Sequence, residues 1–151
     1  MVGAEQKRFS QMILVADTNI IFSILLKKDS KEWEIFLRDD IEVFIPKFLM
    51  VELFRHKEKI IRLSGLEEKE ILELLYLVLR YSSVFDEEDI ADDIKKRAFT
   101  LVSDIDQKDT VFVASAMSLK AKLWSGDKKL ISGLKSKGID IAVQTKDIYL
   151  K

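Results

Sequence analysis

Residues 14–22, LVADTNIIF, place an acid and an amide between two apolar runs. The first run, 14–16, is typical of a strand that enters the core, and the second, 20–22, is typical of a helix. Asp17 therefore stands where a strand ends. Two explanations are open: its side chain caps the following helix, or its carboxylate serves chemistry at the carboxyl edge of a sheet.

The alternation of strand and helix patterns continues along the chain. Further strands are predicted at 42–45, 83–85, 123–124 and 139–143. Helical patterns separate them, and Pro46 is expected in the first turn of a helix that runs on to about residue 63. Alternating strands and helices favour a parallel sheet covered on both faces. We therefore predict an α/β fold, an α/β/α sandwich around a central, mainly parallel sheet of four to five strands.

Length and composition predict one globular domain. The chain has 151 residues, of which 48% are hydrophobic and 34% charged, and we assign the domain to residues 12–151. Residues 1–11 lack a long apolar core and Met12 offers an alternative start, so we expect a flexible N-terminal extension there. No apolar run is long enough to span a bilayer. The absence of cysteine suits a reducing compartment, and we expect a cytoplasmic protein.

The residue types exclude several kinds of site. Without cysteine there is no thiolate ligand or nucleophile, and a single histidine, His56, rules out a multi-histidine metal site. A Ser-His-Asp triad would depend on that one imidazole. Metal chemistry must use carboxylate oxygens, which favour hard ions such as Mg²⁺ or Mn²⁺. A net charge of −1 argues against a broad basic nucleic-acid surface and leaves room for a local basic rim.

Acids recur at the ends of predicted elements. Asp17 and Asp127 follow strands, and Glu52 lies in an otherwise apolar helical segment, where an unsatisfied charge is costly. Asp106 and Asp109 lie in a loop that opens an apolar helix. Each acid also has a purely structural explanation: helix capping by the aspartates, including a capping box, and an ordinary surface charge for the glutamate. Their common position at element ends favours one acidic cleft.

In this order and context the acidic motifs resemble those of the PIN-domain metal-dependent ribonucleases, the fold of the VapC-type toxins. The resemblance extends from residue 12 to about residue 143. Its markers are DTN after the first strand, Glu52 within IPKFLMVELF, Asp109 opening DTVFVASA, and Asp127 ending WSGD. One position departs from the family pattern, because the small residue that usually follows the third acid is Thr110 here.

The resemblance implies a ribonuclease that hydrolyses RNA phosphodiesters with Mg²⁺ or Mn²⁺. Catalytic roles carry over to Asp17, Glu52, Asp109 and Asp127. The metal-binding set comprises the same four acids and Asp106. Polar residues that orient these acids in the family correspond to Thr18, Asn19 and Ser125. Basic residues near the acids are candidate contacts for the RNA backbone, or else parts of solvated helix faces: Arg55, Lys57, Lys128 and Lys129.

The resemblance also implies partners. These are an RNA substrate, a small antitoxin if the protein is a toxin, and a second copy of the chain packed through the hydrophobic segment 65–82. No membrane association is expected. Two other functions stay open: an inactive PIN-fold RNA-binding or assembly module, and an unrelated phosphatase-like phosphotransferase. The latter needs a second acid two residues after Asp17, where the chain has Asn19.

Overall fold

A computed structural model describes residues 12–27 and 29–149, so the expected extension at 1–11 lies outside the described residues. The described chain forms a sheet of five strands: β1 Met12–Ala16, β2 Ile41–Pro46, β3 Ser82–Phe85, β4 Lys122–Trp124 and β5 Ala142–Val143. Their order in the sheet is β3-β2-β1-β4-β5, and every neighbouring pair is parallel. This confirms the predicted α/β architecture.

Helices flank the sheet and connect its strands. In the described residues they are α1 Thr18–Leu26, α2 Lys31–Phe36, α3 Leu49–Arg55, α4 Lys57–Ser64, α5 Glu68–Tyr81, α6 Asp92–Val102, α7 Thr110–Leu119, α8 Lys128–Ser136 and α9 Thr145–Tyr149. Two 3₁₀ turns, Glu87–Asp89 and Gln107–Asp109, precede α6 and α7. Over the same residues, no helix combines the length and apolarity that a membrane crossing requires.

The order of the strands reverses direction beside β1. From β1 the chain adds β2 and β3 on one side, and it later adds β4 and β5 on the other. In open parallel sheets, ligands bind beyond the carboxyl ends of the strands at such a reversal. Here that point lies between β1 and β4, where the Asp17 N–H donates to the Trp124 carbonyl at 3.2 Å. Asp17 and Ser125 therefore leave the sheet side by side.

The core is built around β4 and α7. The Trp124 ring is fully buried, tilts against Phe36 at 5.8 Å, and donates from Nε1 to Thr145 Oγ1 at 3.0 Å. Helix α7 packs on β1, β2 and β4, and its residues 112–116 are all buried. A helix without a polar side fits this position over the middle of the sheet.

Two local predictions around α3 were wrong. Pro46 ends β2 and does not open a helix; α3 starts at Leu49. Strand N–H groups point alternately to the two neighbours, and Lys47 N–H donates to Phe85 of β3. The missing N–H of Pro46 therefore faces β1, which has already ended at that level. The predicted single helix also breaks at His56, whose φ of −104° and ψ of 15° separate α3 from α4.

Candidate active site

Asp17 is a buried carboxylate at the junction of β1 and α1. Its side chain is 4% exposed, and Oδ1 accepts the Ile20 N–H at 3.0 Å, so it caps α1. Burial raises its pKa, and the charge of Asp127 adds to the increase. Hydrogen bonds from Ser125 and from backbone N–H groups oppose that increase. The capping prediction is confirmed, and no cationic side chain of the described residues contributes to the pKa of this carboxylate.

Ser125 connects two of the acids. It is fully buried, its hydroxyl hydrogen-bonds the Asp17 carboxylate, and its Oγ accepts the Asp127 N–H at 3.1 Å. Asp127 in turn caps α8, since Oδ1 accepts the N–H groups of Lys129 and Leu130 at 3.0 and 3.1 Å. The two acids are therefore held in fixed relation by one hydroxyl and by the first turns of two helices.

We predict that Ser125→Ala destabilises the protein by about 1–3 kcal/mol, because it removes one hydrogen bond from the buried Asp17 carboxylate and leaves the part-buried Asp127 N–H without its acceptor. Urea denaturation followed by circular dichroism measures the change. The matched control is Ser118→Ala on the exposed part of α7, which should change stability by less than about 0.5 kcal/mol. Equal effects of the two substitutions would contradict the bridging role of Ser125.

Among the acids that the structure describes, Asp109 has the carboxylate that hydrogen bonds and nearby positive charge compensate least. It stands at the N-terminus of α7, yet its side chain makes no capping hydrogen bond, and no described group is a partner for the buried Oδ2. Burial raises its pKa to about 7, with further contributions from the charges of Asp106, Asp127 and Asp17. The predicted capping box with Asp106 is therefore wrong: Asp106 caps the 3₁₀ turn through Lys108 N–H at 3.0 Å, and Asp109 stays unpaired.

This arrangement suits a cation. Four aspartates repel one another, and an oxygen buried without a hydrogen-bond donor is a group that a metal ion would satisfy. In the side-chain positions described, however, no three Asp, Glu or His side chains converge closely enough to hold an ion. The donor chemistry fits Mg²⁺ or Mn²⁺, and binding would require a change of carboxylate rotamers.

Glu52 faces the same cleft from α3 but is not part of the aspartate cluster. Its side chain is 27% exposed and lies 3.5 Å from both Arg55 and His56, measured from carboxylate oxygen to cationic or ring nitrogen. The Glu52 charge, for which the sequence suggested no partner, is therefore balanced by its neighbours Arg55 and His56. Glu52 and Asp17 both line the cleft.

The cleft itself has a volume of about 880 Å³. Its lining comes from the ends of β1 and β4, the start of α7, α1, and α3 with its flanking residues. Its described lining includes all five predicted acids, Thr18, Asn19 and Arg55. It also includes residues that were not predicted: Phe22, Phe48, His56, Glu87, Glu88, Lys95, Gln107 and Lys108.

The sequence profile of the PIN domain family matches residues 15–148, a range that contains the cleft and nearly all of the sheet. The chain belongs to the PIN domain family. PIN domains are generally nucleases. A search of curated proteins finds no significant match.

Two solved structures are similar to this PIN domain in fold. VapBC2 from Rickettsia felis, crystallised with a DNA fragment from its promoter, has a TM-score of 0.64 at 16% identity, covering 88% of this chain and 97% of that one. PAE2754 from Pyrobaculum aerophilum has a TM-score of 0.63 at 15% identity, covering 92% and 93%. At these identities the likeness establishes the shared fold.

Three predicted RNA contacts lie outside the described lining of the PIN-domain cleft. Lys128 and Lys129 are exposed on α8, and Lys57 pairs with Glu68 at 3.2 Å. Lys95 and Lys108 line the cleft instead. Lys95 is distant in sequence from every acid motif, and α6 approaches the cleft only through the fold. Lys108 lies directly between Asp106 and Asp109, so its place beside the acids could have been read from the sequence.

One missed group had a signal in the sequence. Phe48, Glu52 and His56 are spaced by four residues, which places them on one side of a helix. All three line the cleft. Glu52 was identified from its apolar neighbours in the sequence. Applying the four-residue spacing one turn before it and one turn after it would also have identified the rings of Phe48 and His56.

Proposed function

We propose that this PIN domain is a Mg²⁺- or Mn²⁺-dependent ribonuclease that hydrolyses RNA phosphodiesters at the acidic cleft. The observation that carries the proposal is Asp109 Oδ2, a buried carboxylate oxygen without a described partner, set among three more aspartates at the point where the sheet reverses. A carboxylate oxygen that served only as a helix cap would accept a hydrogen bond from an N–H group of its helix. Asp109 Oδ2 accepts none from the described residues.

Asp17 and Asp109 are the proposed direct ligands, with Asp127, Asp106 and Glu52 as further ligands or holders of bound water. When bound there, the ion supplies charge neutralisation at the phosphoryl oxygens and an acidified water. Thr18, Asn19 and Ser125 are the proposed orienting residues. The Ser125 bond to Asp17 supports that role for Ser125, and Thr18 and Asn19 line the cleft directly after Asp17.

The chain's own groups contribute a titratable ligand and electrostatic attraction. In the metal-free protein, with a pKa of about 7, Asp109 is partly protonated near neutral pH and loses that proton when it becomes a ligand. Arg55, Lys95 and Lys108 line the cleft and provide the positive charge that draws a polyanion towards an acidic centre. The only role that we propose for Lys57, Lys128 and Lys129 is contact with the part of the RNA that extends beyond the cleft.

The proposal is tested by incubating single-stranded and structured RNA with Mg²⁺ or Mn²⁺, with and without chelator. We expect cleavage that chelator abolishes and that Asp17→Asn reduces strongly. Asp104→Asn is the matched control, since Asp104 lies in the loop of Asp106 but is exposed and paired with Lys137 outside the cleft. Cleavage that survives both chelator and Asp17→Asn would overturn the proposal.

We predict that Mn²⁺ affinity rises about tenfold between pH 6 and pH 8, because Asp109 must lose its proton to bind and its pKa is about 7. Isothermal titration calorimetry in buffers of different ionisation enthalpy measures both the affinity and the proton released. An affinity that does not change over this range would mean that Asp109 is not a ligand.

One observation favours a second candidate, an inactive PIN-fold module that binds RNA. Among residues 12–27 and 29–149, no three acidic or histidine side chains are placed to hold an ion. Such a module should bind RNA with the same affinity in Mn²⁺ and in chelator, and should give no heat with Mn²⁺. Measurable Mn²⁺ binding that Asp109→Asn removes would exclude it.

We also propose a small antitoxin as partner. The support is the likeness in fold to VapBC2, whose crystals contained promoter DNA. An antitoxin segment would have to cover the cleft, so its binding should block both RNA cleavage and Mn²⁺ access. Purification of the tagged chain from its native cells tests this: a small stoichiometric inhibitor is expected, and its absence from active preparations would favour an RNA-processing enzyme.

A homodimer through α5 is the remaining proposal. Leu72 and Tyr76 on this helix are 49% and 63% exposed and border a groove of about 480 Å³. We predict that Tyr76→Glu converts a dimer into a monomer in sedimentation velocity. Phe99→Glu, at an exposed ring of α6, should not. A wild-type chain that sediments as a monomer would contradict the proposal.

A further inference from the structure

The lining of the cleft includes a pair of aromatic rings as well as the acids. The rings of Phe22 and His56 have centroids 5.8 Å apart and planes inclined by 75°. Both line the cleft, and the His56 side chain is 41% exposed. Because their planes are nearly perpendicular, the two rings form a corner and not a stack. A flat molecule can lie against one ring while its edge meets the other.

The helices place this corner one turn away from the acids. In α1, Phe22 follows Thr18 by four residues, so it lies about 6 Å along the axis from the residue next to Asp17. His56, which directly follows α3, comes after Glu52 by the same interval. Each helix therefore presents first an acidic or polar group and then a ring. The corner and the acidic centre share one cleft.

Phe22 is not one of the fully buried residues of α1. Those are four aliphatic residues, Ile20, Ile21, Ile24 and Leu25. Phe22 is partly buried, packs against the edge of the core, and also contacts His56 and lines the cleft. A second ring pair, Phe48 with Phe112 at 5.4 Å, also lines the cleft, and its Phe112 is only 4% exposed. The Phe22–His56 pair differs in carrying a polar ring that is open to the cleft, since the His56 side chain is 41% exposed.

We propose that the Phe22–His56 corner is a nucleobase subsite, which receives an unpaired RNA base adjoining the phosphodiester that is cleaved. The inference rests on the proposed function, since only a nucleotide substrate brings a base next to the acidic centre. Bases within a duplex are stacked on their neighbours and cannot reach the corner, whereas an unpaired base presents its π-face to aromatic side chains. His56 also offers a ring N–H to the base edge.

The test removes the ring and the base separately. A short single-stranded RNA is mapped for its cleavage site, and abasic versions are made at the nucleotide on each side of that bond. We expect wild type to cleave one abasic RNA about tenfold more slowly, measured as kcat/KM. Phe22→Leu should slow cleavage of intact RNA about tenfold and leave that abasic RNA unaffected. Phe22→Trp should restore the faster cleavage of intact RNA relative to the abasic RNA. Phe99→Leu on α6 should leave the cleavage rates of both RNAs unchanged.

Two results would overturn the subsite. One is equal slowing of intact and abasic RNA by Phe22→Leu; the other is a wild type that is indifferent to loss of either base. Measurements of RNA binding test the subsite independently of catalysis. In an Asp109→Asn background, loss of the base should weaken RNA binding about tenfold, and adding Phe22→Leu should abolish that dependence. If no RNA is cleaved but this binding pattern is observed, the nuclease proposal fails and the subsite proposal stands. If intact and abasic RNA bind equally, the subsite proposal fails.

Discussion

Asp109→Asn is expected to reduce metal-dependent RNA cleavage by about 100-fold or more while making the metal-free protein more stable. The loss follows because the substitution removes a charged ligand from the proposed metal site. The gain follows because the wild-type carboxylate is buried without a partner among repelling acids. A single substitution should therefore move activity and stability in opposite directions.

The pH dependence of that stability gain has a defined sign. The folded pKa of Asp109 is about 7, above its ordinary value of 3.8, so the folded state holds the proton more tightly. Wild-type stability therefore falls as pH rises from about 4 to 7. The advantage of Asp109→Asn should be absent at pH 4 and should reach about 1–2 kcal/mol at pH 8, allowing for solvent screening of a half-buried group.

Urea denaturation of the metal-free proteins at several pH values measures this, with Asp104→Asn as the control. Asp104 is exposed and its pKa is lowered by Lys137, so its loss should give no stability gain at high pH. An Asp109→Asn variant that is less stable than wild type at pH 8 would show that the carboxylate is satisfied in solution. Full retention of activity would remove Asp109 from the site.

Trp124→Ala has the second large expected effect, a loss of about 3–5 kcal/mol of unfolding free energy. The ring is fully buried in β4, packs on Phe36, and its Nε1–H bonds Thr145. Since small domains are stable by about 5–15 kcal/mol, much of the total would be lost. Circular dichroism is the appropriate probe, because the substitution removes one of the two tryptophans.

Two companions separate the contributions. Thr145→Val removes only the hydrogen bond and should cost about 1 kcal/mol. Phe99→Ala, at an exposed ring of α6, should change stability by less than about 0.5 kcal/mol. If Trp124→Ala were as mild as Phe99→Ala, the packing of β4 against α2 and α9 would be looser than described.

The strands and the acid positions were predictable because they depend on short-range patterns. An apolar run that stops at Asp17, or at Ser125 and Asp127, marks a strand end whatever the rest of the chain does. Parallel strands then bring such ends to one edge. The predicted acids accordingly line one cleft, although their roles there stay predictions.

What the sequence hid depends on contacts between distant segments. Pro46 looked like the start of a helix because nothing local reveals that β1 ends beside it. The break at His56 has no glycine or proline to signal it in residues 47–64. Likewise, the Phe48 N–H is bound at 3.0 Å by Glu87, a residue from beyond β3 that no periodicity connects to α3.

Asp17 and Asp127 have consequences for the evolution of the chain as well as for its chemistry. Both carboxylates cap helices, and asparagine caps a helix about as well as aspartate. A single-base change in either codon would therefore delete the charge and leave the fold in place. Under the proposed mechanism, active and silent versions of this domain lie one mutational step apart, so a lineage could exchange catalysis for simple recognition without passing through an unfolded intermediate.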